Sequence, residues 1–272
     1  MTSYDYYSGR RNMEIIAKIV NTLKEILEED AKQTQPLFLK ISDNLIFNIA
    51  RMAVQERKKT FLVGITGESA SGKTVFVDNT IKACVKKENE GIYTVIRCDD
   101  YYKDTSKELQ EAGSYEALFK TGFSFDTPDA IDLDLMKNHL VDLKAGKNIY
   151  SPQYNFVTCE SKLNSELKTP ARVILTEGLY VLNENLRDIM DVKVYVFTPL
   201  EVLKERWYKR AASRGKTGEA ADLQFADVNK TAQLYIRPTY QIADAVINGL
   251  VSQEYIQEIT TTILERLRAI II

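Results

Sequence analysis

Apolar residues recur along this chain with two different spacings, one in the first fifth and another in the remainder. Residues 11–31 carry isoleucine, leucine and valine at intervals of three and four, which is typical of an amphipathic helix. Pro36 interrupts this pattern, and a second helix is predicted over residues 42–57. Neither helix carries a catalytic motif. We expect residues 1–58 to be an N-terminal helical extension with a packing or oligomerisation role, a regulatory or partner-binding role being the alternative.

Short apolar runs alternate with helical patterns over residues 59–272, as expected of a single α/β domain. Strands are predicted at residues 61–66, 92–96, 173–175, 192–197 and 243–247. Helices are predicted at residues 74–87, 131–144, 200–212, from about 223 to before Pro238, and 252–269. Residues 148–163 alternate like a hairpin or flap, and residues 213–222 are predicted to form a basic, glycine-bearing loop. This order predicts a mostly parallel sheet flanked by helices.

The composition of the chain argues against several classes of protein. A net charge of −2 over 272 residues lacks the basic excess typical of nucleic-acid binding. No apolar run approaches the roughly 20 residues that a membrane helix needs. The cysteines Cys84, Cys98 and Cys159 are far apart and odd in number, which disfavours disulfides or a zinc site. We therefore expect a cytoplasmic protein with no nucleic-acid or membrane partner.

The most specific local signal is Gly-Glu-Ser-Ala-Ser-Gly-Lys-Thr at residues 67–74, which satisfies the P-loop pattern G-x-x-x-x-G-K-[ST]. A predicted strand precedes it and a predicted helix follows, so the fold is expected to be of the P-loop NTPase type. Lys73 can reach the β- and γ-phosphates of ATP or GTP, and the Thr74 hydroxyl can bind Mg²⁺. The predicted nucleotide-binding residues are Gly67, Glu68, Ser69, Ala70, Ser71, Gly72, Lys73 and Thr74.

Two acidic residues follow predicted strands and should face the same edge of the sheet as the P-loop. Asp99 comes after the second strand and can accept a proton from an acceptor hydroxyl or help to hold Mg²⁺. Glu177 ends the third strand and is predicted to complete the metal sphere. Asp100 is interpreted as a structural or solvated residue.

Several segments, in this order and spacing, resemble the uridine kinases and their phosphoribulokinase relatives over roughly residues 60–250. Asp-Asp-Tyr-Tyr-Lys at residues 99–103 and Phe-Asp-Thr-Pro-Asp-Ala-Ile-Asp at residues 125–132 are the most specific. The others are the stretch around the P-loop, Pro-Gln-Tyr-Asn-Phe at 152–156, Glu-Gly at 177–178 and Arg-Pro-Thr-Tyr-Gln-Ile-Ala-Asp at 237–244.

The resemblance implies roles for individual residues. Asp99 would be the base beside a nucleoside 5′-hydroxyl, and Asp126 would accept the ribose hydroxyls. Gln224 would lie near the nucleoside, and a pocket would be lined by Tyr102, Phe125, Tyr154 and Phe156. A basic lid over the phosphates would be made by Arg210, Arg214 and Lys216. The predicted catalytic residues are therefore Asp99, Lys73, Arg210 and Arg214.

Two positions depart from the family pattern. Cys159 stands where the family has a histidine that contacts the pyrimidine, and Trp207 stands where an arginine would touch the nucleoside. A thiol is a poor substitute for an imidazole hydrogen bond, so the base specificity is open.

We expect an ATP-dependent small-molecule kinase, assembled as a homo-oligomer, that phosphorylates uridine or cytidine. The alternatives are a phosphoribulokinase-like or other small-alcohol kinase and a nucleotide-binding protein without catalytic activity. A GTPase switch is disfavoured because Asn229-Lys230 is followed by Thr231-Ala232, which does not match the guanine motif Asn-Lys-x-Asp.

Overall fold

The computed structural model describes residues 3–55, 59–84 and 92–271. The helices, in chain order, are α1 (Ser3–Asp30), α2 (Asp43–Gln55), α3 (Lys73–Cys84), α4 (Ser106–Ala112), α5 (Tyr115–Lys120), α6 (Leu133–Lys144), α7 (Leu200–Ser213), α8 (Gly218–Thr231) and α9 (Gln253–Ile271). The strands are β1 (Phe38–Ile41), β2 (Phe61–Thr66), β3 (Tyr93–Arg97), β4 (Ile149–Asn155), β5 (Glu160–Lys168), β6 (Val173–Glu177), β7 (Val192–Phe197) and β8 (Ala245–Asn248).

The chain divides into two compact units that are both discontinuous in sequence. The first unit contains Met1–Lys59, Thr74–Glu90 and Asp244–Ile272, and the second contains Thr60–Lys73 and Gly91–Ala243. Within the described residues, no helix is long and apolar enough to cross a membrane. Cys84, Cys98 and Cys159 all belong to the described residues, and none of them forms a disulfide bond there.

A parallel sheet with the order β3-β6-β2-β7 forms the centre of the second unit. Its two inner strands are β2 and β6, whose Leu62 and Ile174 are fully buried. Glu177 at the end of β6 is in register with Ile65 of β2 and with Arg97 of β3. The carboxyl ends of these strands therefore share one edge, which confirms the predicted mostly parallel α/β sheet.

Gly178 allows the chain to leave this edge. A Cβ atom at this position would lie 2.1 Å from the Cβ of Cys98, and the backbone φ is +156°. Its amide donates to the carbonyl of Ile65 at 3.1 Å. Because only glycine fits here, the segments after β3 and β6 can approach closely enough to bring Asp99 and Glu177 together.

The remaining elements of the second unit agree with the sequence in part. The predicted hairpin is confirmed by the antiparallel pair β4 and β5. The predicted loop over residues 213–222 is too long, since α7 extends to Ser213 and α8 already begins at Gly218. The glycine suggested a loop, but Glu219, Ala220 and Ala221 are good helix formers. Ala221 also packs against the buried Trp207.

The first unit holds the predicted N-terminal helices together with the C-terminal helix. Buried residues of α1 and α2, such as Ile19 and Ile46, form a cluster that also includes Ile263 and Leu267 of α9. The predicted helices are confirmed here, except that residues 56–57 and 85–87 of two of them lie outside the described part. The proposed boundary between residues 58 and 59 stays a prediction.

A short strand in the first unit was not predicted. Strand β1 pairs antiparallel with β8, and its start is fixed by the buried Asp30 at the end of α1. The Asp30 carboxylate accepts hydrogen bonds from the amides of Leu37 and Phe38 and from the Tyr255 hydroxyl, each at 2.8 Å. This carboxylate therefore joins α1, β1 and α9.

We expect Gly178→Ala to destabilise the protein because the new methyl group would overlap the Cys98 side chain. Gly122→Ala is the matched control, since Gly122 also has a positive φ, of +85°, but a Cβ atom there would meet no neighbouring atom within 4 Å. Gly178→Ala should lower the free energy of unfolding by about 1–3 kcal/mol more than the control does. Denaturant unfolding followed by circular dichroism would measure the difference. Equal effects of the two substitutions would contradict the steric explanation.

Candidate active site

The P-loop follows β2 and has an alternating backbone conformation. Positive φ angles occur at Gly67, Ala70 and Gly72, at +151°, +67° and +98°. A Cβ atom at Gly67 would lie 2.5 Å from the carbonyl oxygen of Val196, so this position requires glycine. Such a sequence of conformations turns successive amides toward one concave surface, which suits an anion. The left-handed Ala70 is held in place by packing against the hydrophobic cluster around Trp207.

Lys73 is buried at the start of α3. Its ammonium donates to the carbonyl oxygens of Gly67 at 2.9 Å and Glu68 at 3.0 Å. Burial lowers the pKa of Lys73, whereas the carboxylates of Glu177 and Asp99 act in the opposite direction. The two acidic residues predicted from the strand ends therefore lie near the lysine of the loop, and Thr74 is the next residue of the helix.

Glu177 is buried and pairs with Arg97, the two side chains meeting at 2.9 Å. In the described part of the chain, no group of three or more histidine, cysteine or acidic side chains could hold a metal ion. The carboxylates of Glu177 and Asp99 would thus need further oxygen ligands to hold a metal ion. Mg²⁺ commonly takes these from substrate phosphates and water, so the residues present fit the ion.

Asp126 is a second buried carboxylate, and it lies beside α8. Burial, with a further contribution from Asp227, raises the pKa of Asp126 to about 6. Gln224 of α8 approaches the Asp126 carboxylate at 3.5 Å, and the Asp126 carbonyl accepts a hydrogen bond from the Tyr180 hydroxyl. The structure therefore brings the predicted acceptor residues Asp126 and Gln224 together.

The predicted aromatic residues fall into two groups. Tyr102, Tyr154 and Phe156 contact one another, with ring centroids 5.1–5.7 Å apart. Phe125 belongs to a second group with Phe123, Tyr115 and Phe119, at centroid distances of 4.8, 6.3 and 6.0 Å. Sequence analysis missed Tyr115 and Phe119, although their spacing of four residues on one short helix could have indicated a shared face.

The three predicted lid cations contact different partners. Arg210 donates a hydrogen bond to the Ser69 hydroxyl in the P-loop. The Arg214 guanidinium lies 4.2 Å from the centre of the Phe156 ring. The buried Lys216 ammonium lies 4.2 Å from the Tyr115 ring and 5.0 Å from that of Phe125. The predicted cofactor-binding residue Lys216 therefore lies among the aromatic rings around Phe125, whose faces attract a cation.

Both positions that depart from the family pattern are buried. Cys159 has a φ of +57°, and its sulfur lies 3.4 Å from the Tyr115 hydroxyl. That hydroxyl is also within hydrogen-bonding distance of the carbonyls of Phe156 and Val157, at 3.1 and 3.2 Å. Trp207 packs against Tyr208 and Phe225, with centroids 5.3 Å apart in each pair. These positions offer neither an imidazole nor a guanidinium group.

The chain is similar in sequence to known kinases. The family model described as "Phosphoribulokinase / Uridine kinase family" matches residues 62–255. A uridine kinase of Vibrio vulnificus is 32% identical over 197 residues, which are 71% of this chain and 89% of that protein. Uridine-cytidine kinase B of Dictyostelium discoideum is 37% identical over 194 residues, covering 70% and 75% of the two chains.

A more distant likeness exists among solved structures. A possible uridine kinase from Bacillus stearothermophilus is 17% identical, with a TM-score of 0.47, and covers 75% of this chain and 97% of that chain.

We expect Lys73→Met to weaken nucleotide binding, because the phosphates would lose a buried cation while the length of the side chain is kept. Removing one partner of such a charged contact costs about 2 kcal/mol or more, roughly 30-fold in Kd. Titration calorimetry with a non-hydrolysable ATP analogue and Mg²⁺ would measure this. Lys82→Met, at an exposed position of the same helix, is the control and should bind like the unmodified chain. An unchanged Kd for Lys73→Met would contradict the assignment of the loop.

Proposed function

From the premise that this chain belongs to the phosphoribulokinase / uridine kinase family, we propose that it transfers the γ-phosphoryl group of ATP to the 5′-hydroxyl of uridine or cytidine. The family membership makes the chain a P-loop kinase that acts on an alcohol group. It thereby favours an enzyme over a nucleotide-binding protein without catalytic activity. The proposal adds the phosphoryl donor, the acceptor and the roles of individual residues.

The observation that carries this proposal is the location of Asp99 between the P-loop and the Asp126 side of the site. Asp99 raises the pKa of Lys73 in the loop against the effect of burial. Burial raises the pKa of Tyr102, and Asp126 and Asp99 raise it further. Asp99 also interacts electrostatically with Arg214. A hydroxyl bound near Tyr102 would therefore be close to a carboxylate on one side and to the phosphate-binding loop on the other.

The proposed reaction is an in-line displacement. Asp99 accepts the proton of the acceptor hydroxyl while the hydroxyl oxygen forms a bond to the γ-phosphorus. The bond from the γ-phosphorus to the bridging oxygen breaks, and ADP leaves with that electron pair. Lys73, Arg210 and Arg214 stabilise the charge on the transferring group.

A metal ion would complete the charge balance at the phosphates. Thr74 and Glu177, with Asp99 on the acceptor side, are the residues that would hold Mg²⁺. When bound, the ion would neutralise developing charge on the β- and γ-phosphate oxygens. Glu177 would have to share its carboxylate between this sphere and Arg97, which lies 2.9 Å away.

A ribose-bearing acceptor is supported by the buried Asp126. An ionised carboxylate can accept hydrogen bonds from two neighbouring hydroxyls, and Gln224 lies beside it to orient a sugar. The rings of Tyr102, Tyr154 and Phe156 provide flat apolar surfaces suited to a base. Because Cys159 and Trp207 lack the polar groups of the family, we expect weak discrimination between uracil and cytosine.

A kinase for an anionic small alcohol, such as a sugar phosphate, is the second candidate. The cations of Lys216 and Arg214 favour it, since both lie against the aromatic groups of the acceptor side. Homo-oligomeric assembly and a cytoplasmic location stay predictions.

A panel of acceptors would test the proposed substrate. We expect phosphorylation of uridine and cytidine at rates within about tenfold of each other, with 2′-deoxyuridine clearly poorer because Asp126 would face a missing hydroxyl. Asp126→Asn should raise the KM for uridine and leave that for ATP unchanged. Lowering the pH below about 6 should have the same effect, since protonation removes the charge of Asp126. Turnover of ribulose 5-phosphate or glycerate, with none of either nucleoside, would favour the second candidate.

The choice of base can be tested within one acidic pair. Asp99→Asn keeps the shape of the side chain but cannot take a proton, so kcat should fall by about 10²–10⁴-fold with nucleotide binding retained. Asp100→Asn is the control and should keep most of the activity. Steady-state kinetics with uridine, and calorimetry with an ATP analogue, would provide both readouts. Loss of kcat in the Asp100 variant alone would show that the base had been wrongly assigned.

A further inference from the structure

We propose that Arg237 is a positioning residue of the P-loop, which holds the Glu68 carboxylate away from the phosphate-binding surface. The proposal rests on the nucleotide-binding role proposed above. Glu68 and Arg237 are 169 residues apart in sequence. Arg237 belongs neither to the P-loop nor to the acidic strand ends nor to the lid, so the proposal gives a role to a further segment.

The contact between the two side chains is a two-point ion pair. The Arg237 Nε donates to Oε1 of Glu68 at 3.0 Å, and Nη2 donates to Oε2 at 2.9 Å. The same Nη2 donates to the Asn229 side-chain oxygen at 2.6 Å. The Glu68 side chain is 14% exposed and that of Arg237 33%. This planar two-bond geometry fixes the orientation of both groups, which a lysine could not do.

Glu68 is the second residue of the P-loop, and its backbone is also tied to the phosphate-binding groups. Its carbonyl oxygen accepts hydrogen bonds from the Lys73 ammonium and from the Ser71 amide, each at 3.0 Å. Arg237 therefore holds the side chain of a residue whose backbone positions Lys73. A shift of Glu68 would therefore also move the Lys73 ammonium, which is proposed to contact the phosphates.

The charge of Glu68 makes this contact necessary. The concave surface of the loop is formed to receive a triphosphate, which carries several negative charges. A free carboxylate beside it would repel the ligand, and in a partly buried site the repulsion would be only weakly screened. Pairing with Arg237 neutralises the carboxylate and keeps it directed away from the loop surface.

Arg237 is well anchored for this role. It follows a π-helical turn, Ala232–Ile236, that continues α8, and it begins the 3₁₀ turn Arg237–Ile242. The Thr239 hydroxyl donates to the Ile236 carbonyl at 2.6 Å, and the Tyr240 ring packs on Tyr195 of β7 at a centroid distance of 5.6 Å. Asn229, on α8, supports the guanidinium directly.

A double-mutant cycle in the full chain separates positioning from general stabilisation. The probe is a non-hydrolysable ATP analogue with Mg²⁺, and the readout is its Kd by calorimetry. Arg237→Gln should raise the Kd by about 10-fold or more, because it leaves the Glu68 charge unpaired beside the phosphates. Glu68→Gln should raise the Kd by less than Arg237→Gln does, and the double variant, which has no unpaired carboxylate, should bind more tightly than Arg237→Gln alone. Raising the salt concentration should reduce the defect of Arg237→Gln.

The exposed pair Glu205 and Lys209, 2.6 Å apart on α7, provides a matched control cycle with the same charge changes and should show no coupling. Thermal unfolding checks that each variant is folded, and Arg237→Lys, with intermediate affinity expected, covers the case in which Arg237→Gln is unstable. Equal weakening in Arg237→Gln and in the double variant would overturn the proposal, as would unchanged affinity in Arg237→Gln. Absence of binding by the unmodified chain would overturn the nucleotide-binding role and this inference with it.

Discussion

The parallel register of β2, β6 and β3 is the constraint on which the candidate site depends. It places Ile65, Glu177 and Arg97 level with one another, so the segments that follow these strands start from one edge. The P-loop and Asp99 belong to those segments, and Glu177 is the last residue of β6 itself. Gly178 is required for their close approach, because any side chain there would collide with Cys98. One backbone arrangement therefore gathers groups that lie about a hundred residues apart in the chain.

Four positively charged side chains near this edge make contacts of modest strength with neutral groups. Lys73 is bonded to backbone carbonyls, Arg210 to a serine hydroxyl, and Arg214 and Lys216 to ring faces. Each of these neutral partners can be exchanged for a phosphate or carboxylate oxygen with a gain in electrostatic energy, because hydrogen bonds between ions are stronger. Arg237 differs, because it forms two hydrogen bonds with the charged Glu68 carboxylate. Cations with neutral partners are therefore suited to bind a ligand, whereas Arg237, whose partner is charged, is suited to hold the protein's own loop.

Burial sets the electrostatics around Asp126 and Lys216. Asp126 and Lys216 are both removed from water, which raises the pKa of the carboxyl to about 6 and lowers that of the ammonium to about 8. Their mutual attraction opposes both shifts, so the pair keeps its charges near neutral pH. The surrounding rings of Tyr115 and Phe125 exclude water and strengthen any hydrogen bond that Asp126 makes. A polar ligand bound here would contact few polar groups, and each of these groups would be shielded from water.

The sequence by itself determined the parallel strands, the P-loop and the acidic residues at the strand ends, because each is encoded by local periodicity or by adjacent residues. It also indicated Asp126 and the aromatic residues of the pocket, through a resemblance carried by short motifs. It missed strand β1, and it placed the start of α8 too late, since a pairing partner and a packing contact decide these features. Only the tertiary structure decided that Lys216 lies against the Tyr115 ring and that Arg237 pairs with Glu68. Both depend on long, flexible side chains whose partners are distant in sequence, and no local pattern specifies which partner such a side chain will meet.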